Sequence, residues 1–237
     1  MNLSDKQKGI ALSFIGVLII SPDSLFIRLI SLPSWELLFY RGLIPFLLLF
    51  VSLLLYYKKN FLNSLLITGL PGLFYAILIA LGNTSFVISI QNTNVANTLV
   101  MIALTPFATA ILSSFFLKEH PDKKMWLTIM ACFFAIIFIF YDSYQGGRVL
   151  GDFFGLLTAI FIGGSAVIIR YSKLTDLLPA LLIAKFFTII IPIYFMQLFP
   201  VSLFVNQEQF YFIVLMGVFL VIPLACMTIA PRFIPAY

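Results

Sequence analysis

Three charged side chains interrupt long apolar segments and are the residues best placed to do chemistry: Asp23, Arg41 and Lys185. Charged groups at bilayer depth are costly, so they usually face a cavity or each other. Asp23 lies about 12 Å before the end of its segment, and Arg41 about 10 Å after the start of the next. We therefore expect them at similar height on adjacent helices. An ion pair there would either lock the two helices together or border a substrate path.

Lys185 has no acidic residue in an obvious position beside it, although it lies about 13 Å inside its own apolar segment. A lysine at that depth must stretch its stem far to reach the headgroups. We expect Lys185 to contact an anionic group of a substrate or to take part in proton coupling. A partner on a segment beyond this sequence is the alternative.

Uncharged residues supply weaker candidates. Asn97, in the polar start of the fourth segment, could hydrogen-bond a substrate or join two helices. Tyr40 could form part of a cavity wall. Gly151 and Gly155 have the GxxxG spacing that allows two helices to approach closely. Pro22, directly before Asp23, removes a backbone donor and makes the first segment a candidate broken or kinked helix.

Other chemistries find no support in the sequence. Cys132 and Cys226 lie in apolar runs, and the single histidine, His120, lies in a charged loop, so no metal site or catalytic set can be built. There is no phosphate-binding GxxxxGK[ST] motif. Gly151-Asp152 faintly resembles part of a two-aspartate protease, but we expect it at the outer edge of the membrane. We predict no enzyme activity and no cofactor.

The elements that must position these residues follow from composition. Hydrophobic residues make up 62% of the 237 residues and charged residues only 10%, whereas soluble domains carry about 25% charged residues. A bilayer-spanning helix needs roughly 20 apolar residues. Eight segments meet that length, which predicts an all-α integral membrane bundle: Gly9–Ile30, Ser34–Tyr57, Phe61–Gly82, Asn92–Phe116, Met125–Tyr141, Gly151–Arg170, Leu177–Phe199 and Gln209–Ile229.

The distribution of basic residues predicts the orientation. With the N-terminus in the cytoplasm, ten of the 14 lysines and arginines fall in inside loops and one, Arg148, falls outside. This asymmetry predicts a multi-pass protein of the plasma or inner membrane. It also indicates that the partner of the net charge of +5 is anionic lipid rather than nucleic acid. Arg28 and Glu36 fall near the outer ends of segments, where we expect them to be solvated.

An internal repeat at an offset near 142 divides the chain into residues 1–142 and 143–237. Gly9 then corresponds to Gly151, Arg41 to Lys185 with a two-residue slip, and Asp23 to Ser165, which becomes a further candidate for the substrate path. Five spans in the first half predict an inverted second half, a common plan in transporters. The second half has three spans, so we expect eight spans of a ten-span protein; a true eight-span protein is the alternative.

Several stretches, taken in order, resemble the EamA branch of the drug/metabolite transporter superfamily. They are Ser21–Arg28, Phe39–Gly42, the run from Asn92 through Thr105-Pro106-Phe107 to Leu117-Lys118-Glu119, and Pro231–Ala236. This resemblance implies ten spans in two inverted five-span halves and movement of small metabolites, often outward.

The function that we predict is secondary-active transport of small metabolites or amino acids by alternating access, most simply as an exporter. The partners would be the small-molecule substrate and membrane lipid, with the protein a monomer or homodimer. A channel, or a lipid-handling membrane protein without carrier activity, is the alternative. A channel would be expected to show a filter-like loop or a ring of charge.

Overall fold

The protein is described from a computed structural model that covers residues 5–118, 123–172, 176–198 and 203–230. Glu119, His120, Lys173 and the stretch 231–236 therefore lie outside the described residues. Eleven α-helices form this part of the chain: α1 Asp5–Ile20, α2 Asp23–Ile30, α3 Ser34–Tyr57, α4 Phe61–Ile67, α5 Gly69–Asn92, α6 Val95–Ile102, α7 Thr105–Phe116, α8 Lys123–Gln145, α9 Val149–Tyr171, α10 Ala180–Met196 and α11 Gln207–Ile229.

The prediction of an all-α membrane bundle is confirmed. Across the described ranges, seven helical stretches are long and apolar enough to cross a membrane. They are Gln7–Ile30, Ser34–Ile67, Gly69–Asn92, Val95–Phe116, Trp126–Tyr144, Val149–Tyr171 and Gln207–Ile229. The remaining predicted span corresponds to α10, whose 17 residues make it shorter than these.

The third predicted span, Phe61–Gly82, is wrong in its boundaries. A 3-10 turn at Lys58–Asn60 follows α3 and leads into the short helix α4. The long helix α5 then begins at Gly69, whose φ of +55° is a conformation that glycine adopts without steric cost. The apolar run from Phe61 therefore contains a helix end that hydrophobicity alone does not mark.

Besides the turn between α3 and α4, the first and fourth spans are interrupted. The first breaks at Ser21-Pro22, so Asp23 begins the separate helix α2 rather than continuing α1. The Ser21 hydroxyl donates to the Val17 carbonyl at 2.9 Å, which occupies one acceptor in the last turn of α1. The fourth span breaks between α6 and α7, where Pro106 lies in the first turn of α7.

The helices form two compact units, each described here by itself. Unit A contains the described residues of Met1–Ala80 and Ser172–Tyr237, and unit B contains Leu81–Tyr171. Each unit thus draws on both of the predicted repeats, and α5 contributes to both units. The division into repeats at residue 142 stays a prediction.

In unit A, α3 and α10 are the most closely packed pair. Trp35 near the start of α3 stacks on Phe195 near the end of α10, with ring centroids 4.3 Å apart. Further along, Gly42 lies against the α10 backbone, because a Cβ at this position would be 3.0 Å from the Ile189 amide nitrogen. The two helices therefore run antiparallel and touch closely beside Arg41.

A capping box starts α11 and ties it to α2. The Gln209 amide donates to Asn206 Oδ1 at 2.7 Å, and the Asn206 amide donates to Gln209 Oε1 at 3.0 Å. The Gln209 side chain also donates from Nε2 to the Ile30 carbonyl at 3.1 Å. This bond satisfies a carbonyl at the C-terminal end of α2, where orphan acceptors need partners.

In unit B, glycines of α9 allow close approach by neighbouring helices. A Cβ on Gly151 would lie 2.5 Å from the Asn92 carbonyl carbon, and one on Gly155 would lie 3.0 Å from Ser89 Oγ. Since real Cβ atoms essentially never approach backbone this closely, α9 can hold its position against the end of α5 only with glycine at residue 151.

Candidate functional site

The charge cluster of unit A consists of Asp23, Arg41 and Lys185. Asp23 is in the first turn of α2, Arg41 is in α3, and Lys185 is in α10. All three side chains are buried: the residues are 4%, 2% and 0% exposed, respectively. The structure therefore brings together the three charged residues that the sequence singles out, within one compact unit.

Asp23 and Arg41 form a bidentate ion pair. Nη1 of Arg41 donates to Oδ1 of Asp23 at 2.6 Å, and Nη2 donates to Oδ2 at 2.6 Å. The planar guanidinium fork matches a carboxylate in this way and fixes the orientation of both groups. The break at Pro22 places Asp23 at the beginning of α2, where the helix dipole also favours a negative charge.

Lys185 completes the cluster without a hydrogen bond of its own. Within the described ranges, no acceptor lies in hydrogen-bond reach of its Nζ. The charges of Arg41 and Asp23 both act on it electrostatically. The sequence suggests no acidic residue near Lys185, but in the folded protein the charge of Asp23 acts on it. Among the described residues the three N–H donors of the ammonium are therefore unused, whereas Asp23 accepts two hydrogen bonds from Arg41.

Tyr40 lies in the same unit. Its hydroxyl donates to the Leu203 carbonyl at 2.7 Å, which links α3 to the segment between α10 and α11. Glu36, one turn earlier in α3, is only 7% exposed, so the expectation that it is solvated is wrong. Position near the end of a hydrophobic run does not reveal which face of the helix a residue occupies.

A second polar group, which we name the carboxylate cluster, lies in unit B and consists of Thr93, Asn97, Ser143 and Asp152. Asp152 is 0% exposed and accepts hydrogen bonds from Thr93 Oγ1 at 2.6 Å and from the Ser143 hydroxyl. Asn97 Nδ2 is 3.3 Å from Ser143 Oγ and 3.4 Å from Asp152 Oδ1. Asn97 therefore helps to hold a buried carboxylate.

Sequence reasoning missed Asp152 because its place at the start of a predicted span suggested an exposed outer edge. The signal that could have found it is the adjacent Gly151. A glycine that brings α9 against the end of α5 also brings the next residue beside Thr93. Ser165, the other candidate in unit B, is 4% exposed and donates to the Ile162 carbonyl of its own helix at 2.7 Å.

Unit B also contains a cavity of about 300 Å³. Apolar side chains line it, among them Phe107, Ile111, Phe133 and Ile160. Such a cavity lacks the convergent polar groups that fix the orientation of a polar ligand. Within the described residues, no group of three or more His, Cys, Asp or Glu side chains could hold a metal ion.

Comparison with known proteins identifies the class of molecule in which these clusters occur. Residues 7–141 match the EamA-like transporter family, which is more than half of the chain. The pseudopaline exporter CntI of Pseudomonas aeruginosa, in strains UCBPP-PA14 and PAO1, is 26% identical over 147 residues. The matched stretch covers 59% of this chain and 48% of each exporter, so the chain spans about half the length of these relatives.

The fold, the buried charges and the family match agree. A bundle of apolar helices with charged residues buried in its spans fits a membrane transporter, in which such residues commonly mark the path of a substrate or ion. The chain belongs to the EamA-like transporter family.

Proposed function

We propose that the protein is a secondary-active carrier that exports small metabolites or amino acids by alternating access. The observation that carries this proposal is the charge cluster of unit A, buried among helices of a transporter chain. Buried ionisable groups in membrane spans commonly mark the path of a substrate or ion. The alternative for the Asp23–Arg41 pair is that it only locks α2 to α3. That alternative does not explain why Lys185 is buried.

The energy source and direction rest on further observations. The sequence contains no nucleotide-binding phosphate loop, so a gradient rather than ATP would drive transport. Outward movement is suggested by the relatives, which are exporters by name. The predicted inverted repeat supports alternating access, because such repeats exchange conformations across the membrane.

The proposal includes a plasma or inner membrane location with a cytoplasmic N-terminus. It is supported by the ten-to-one distribution of loop lysines and arginines in the sequence. A cysteine introduced at Lys59, which is exposed after α3, would report the orientation once the free cysteines Cys132 and Cys226 are replaced by alanine. We expect it to react with a membrane-impermeant maleimide only in inverted vesicles; labelling in intact cells would reverse the assignment.

Flux measurements test carrier function. The full-length protein would be reconstituted in proteoliposomes and supplied with labelled amino acids and small organic acids, with and without unlabelled compound on the opposite side. A carrier gives saturable flux that is accelerated by exchange. Linear flux without exchange would indicate the channel alternative. No protein-dependent flux of any compound would favour a membrane protein without carrier activity.

A further inference from the structure

The charge cluster has an imbalance that its own residues do not correct. It contains two cationic side chains, Arg41 and Lys185, and one carboxylate, Asp23, a formal excess of one positive charge. The two hydrogen bonds between Arg41 and Asp23 occupy both carboxylate oxygens. Glu36 is buried on the same helix as Arg41, and the charges of Arg41 and Asp23 both act on Lys185.

An ammonium group in this position is costly. A buried charge that lacks hydrogen bonds forfeits its hydration, and a partner that accepts from it offsets this loss. Lys185 is 0% exposed, and in the described parts of the chain its Nζ has no such partner. An external group that accepts from Lys185 would offset this cost.

We propose that the charge cluster binds a carboxylate group of the transported molecule, which accepts hydrogen bonds from Lys185 beside the Asp23–Arg41 pair. This inference rests on the proposed carrier function and specifies its substrate class: amino acids or small organic acids that present one carboxylate at the site. One added negative charge neutralises the cluster. An incoming cation would instead meet two like charges, and a neutral amide would leave the excess charge uncompensated.

The packing of α3 against α10 fixes the geometry of this site. Arg41 precedes Gly42, which lies against Ile189, and Ile189 is one turn beyond Lys185 on α10. The two cations are therefore carried by helices that lie in close contact. Because all three residues are closed to solvent, a carboxylate reaches them when these helices open.

The test compares each acid with the primary amide that lacks its carboxylate. Full-length protein in phosphatidylcholine nanodiscs would be heated with small organic acids and amino acids and, in parallel, with the matching amides. The amide of an organic acid is neutral, so this pair separates loss of the carboxylate from the net positive charge that an amino-acid amide carries. We expect at least one acid to raise the unfolding temperature with its amide at least tenfold weaker. No acid-dependent shift, or equal shifts from acid and amide, would overturn the proposal.

Variants assign the effect to Lys185. Lys185→Met should abolish the preference for the acid, whereas Lys185→Arg, which retains the positive charge, should keep part of it. Lys59→Met changes an exposed lysine outside the cluster and should behave as wild type. Should Lys185→Met fail to fold, a loss of preference in Lys185→Gln serves as the second measurement. Full preference without a cation at residue 185 would overturn the assignment.

Anionic lipid could supply a negative group of similar chemistry, so the measurement is repeated in nanodiscs that contain phosphatidylglycerol. Stabilisation by this lipid that depends on Lys185, without any effect of free acids, would assign the cluster to lipid and overturn the proposal. Flux in proteoliposomes of the same lipid compositions separates the two proposals. Acid preference without flux would support the binding site and contradict carrier function. Flux without acid preference would support carrier function and contradict the binding site.

Discussion

The two buried polar clusters answer the same physical problem in different ways. In unit A, Asp23 is neutralised by the guanidinium of Arg41, and a further cation, Lys185, lies nearby without a hydrogen bond to any described residue. In unit B, Asp152 is held by neutral groups, the hydroxyls of Thr93 and Ser143 and the amide of Asn97.

The difference separates a cluster suited to binding from one suited to structure. Neutral donors from three residues already point at Asp152, and a satisfied network of this kind rigidifies the helices that contribute to it. The charge cluster has donor capacity left at Lys185. Burial of an acidic residue is therefore a poor guide to function until the groups around it have been counted.

Lys185 should show the largest effect on transport. Lys185→Ala removes the donor that we assign to the substrate, so we expect flux to fall more than tenfold while membrane insertion and yield stay unchanged. Proteoliposome flux and size-exclusion profiles measure the two properties. Lys59→Ala, at an exposed position, is the control. Flux equal to wild type in Lys185→Ala would contradict the assignment of the charge cluster to binding and of the carboxylate cluster to structure.

Arg41 should show the largest effect on stability. Arg41→Met leaves the Asp23 carboxylate buried without its partner, which costs about 3–5 kcal/mol of unfolding free energy. Asp23→Asn combined with Arg41→Met removes both charges and should recover much of that loss without restoring flux. Denaturant unfolding in mixed micelles provides the measurement. A double variant as unstable as the single one would contradict the ion-pair explanation.

Gly151 should show the next largest effect, confined to stability. In Gly151→Ala the new Cβ meets the backbone of Asn92 and Thr93, so α9 must shift, at a cost of about 1–3 kcal/mol. Gly82→Ala is the matched control, since its Cβ would lie 3.5 Å from Ile162 Cγ1, an ordinary contact. Equal unfolding temperatures for the two variants would show that the close approach at Gly151 is not required.

Asp152 should show the smallest effect, because its donors can reorient. Asp152→Asn loses charged hydrogen bonds and should lower the free energy of unfolding by about 1–2 kcal/mol while flux persists. Asp142→Asn is the control: Asp142 is 66% exposed and pairs with Arg148 at 3.3 Å, an arrangement worth about 0–1 kcal/mol. Abolished flux in a stable Asp152→Asn protein would place function in both clusters.

Sequence reasoning succeeded where helix geometry is regular. Residue counts along ideal helices put Asp23 and Arg41 at similar heights, and the structure pairs them with two hydrogen bonds. Pro22 marked the first span as a candidate for interruption because proline removes a backbone donor, and the helix does break there. These inferences needed only local rules and the expectation that buried charges seek partners.

It failed where burial depends on rotation about the helix axis or on partners distant in sequence. Glu36 and Asp152 lie near segment ends that looked exposed, yet both are buried. The start of α5 was misplaced because the residues from Phe61 onward are apolar whether they cross the bilayer or not. Gly69 was the available signal, since glycine accommodates the positive φ that restarts the helix.

The short helix α4 has a consequence for how the bundle is anchored. At 24 residues, α3 is already about 36 Å long, more than a hydrocarbon core of roughly 30 Å requires, so α4 need not lie inside it. Leu62, Leu66 and Ile67 of α4 are exposed, directly after Lys58 and Lys59. Apolar side chains next to two ammonium groups suit the boundary between acyl tails and phosphates, so α4 is suited to anchor the end of α3 at that boundary.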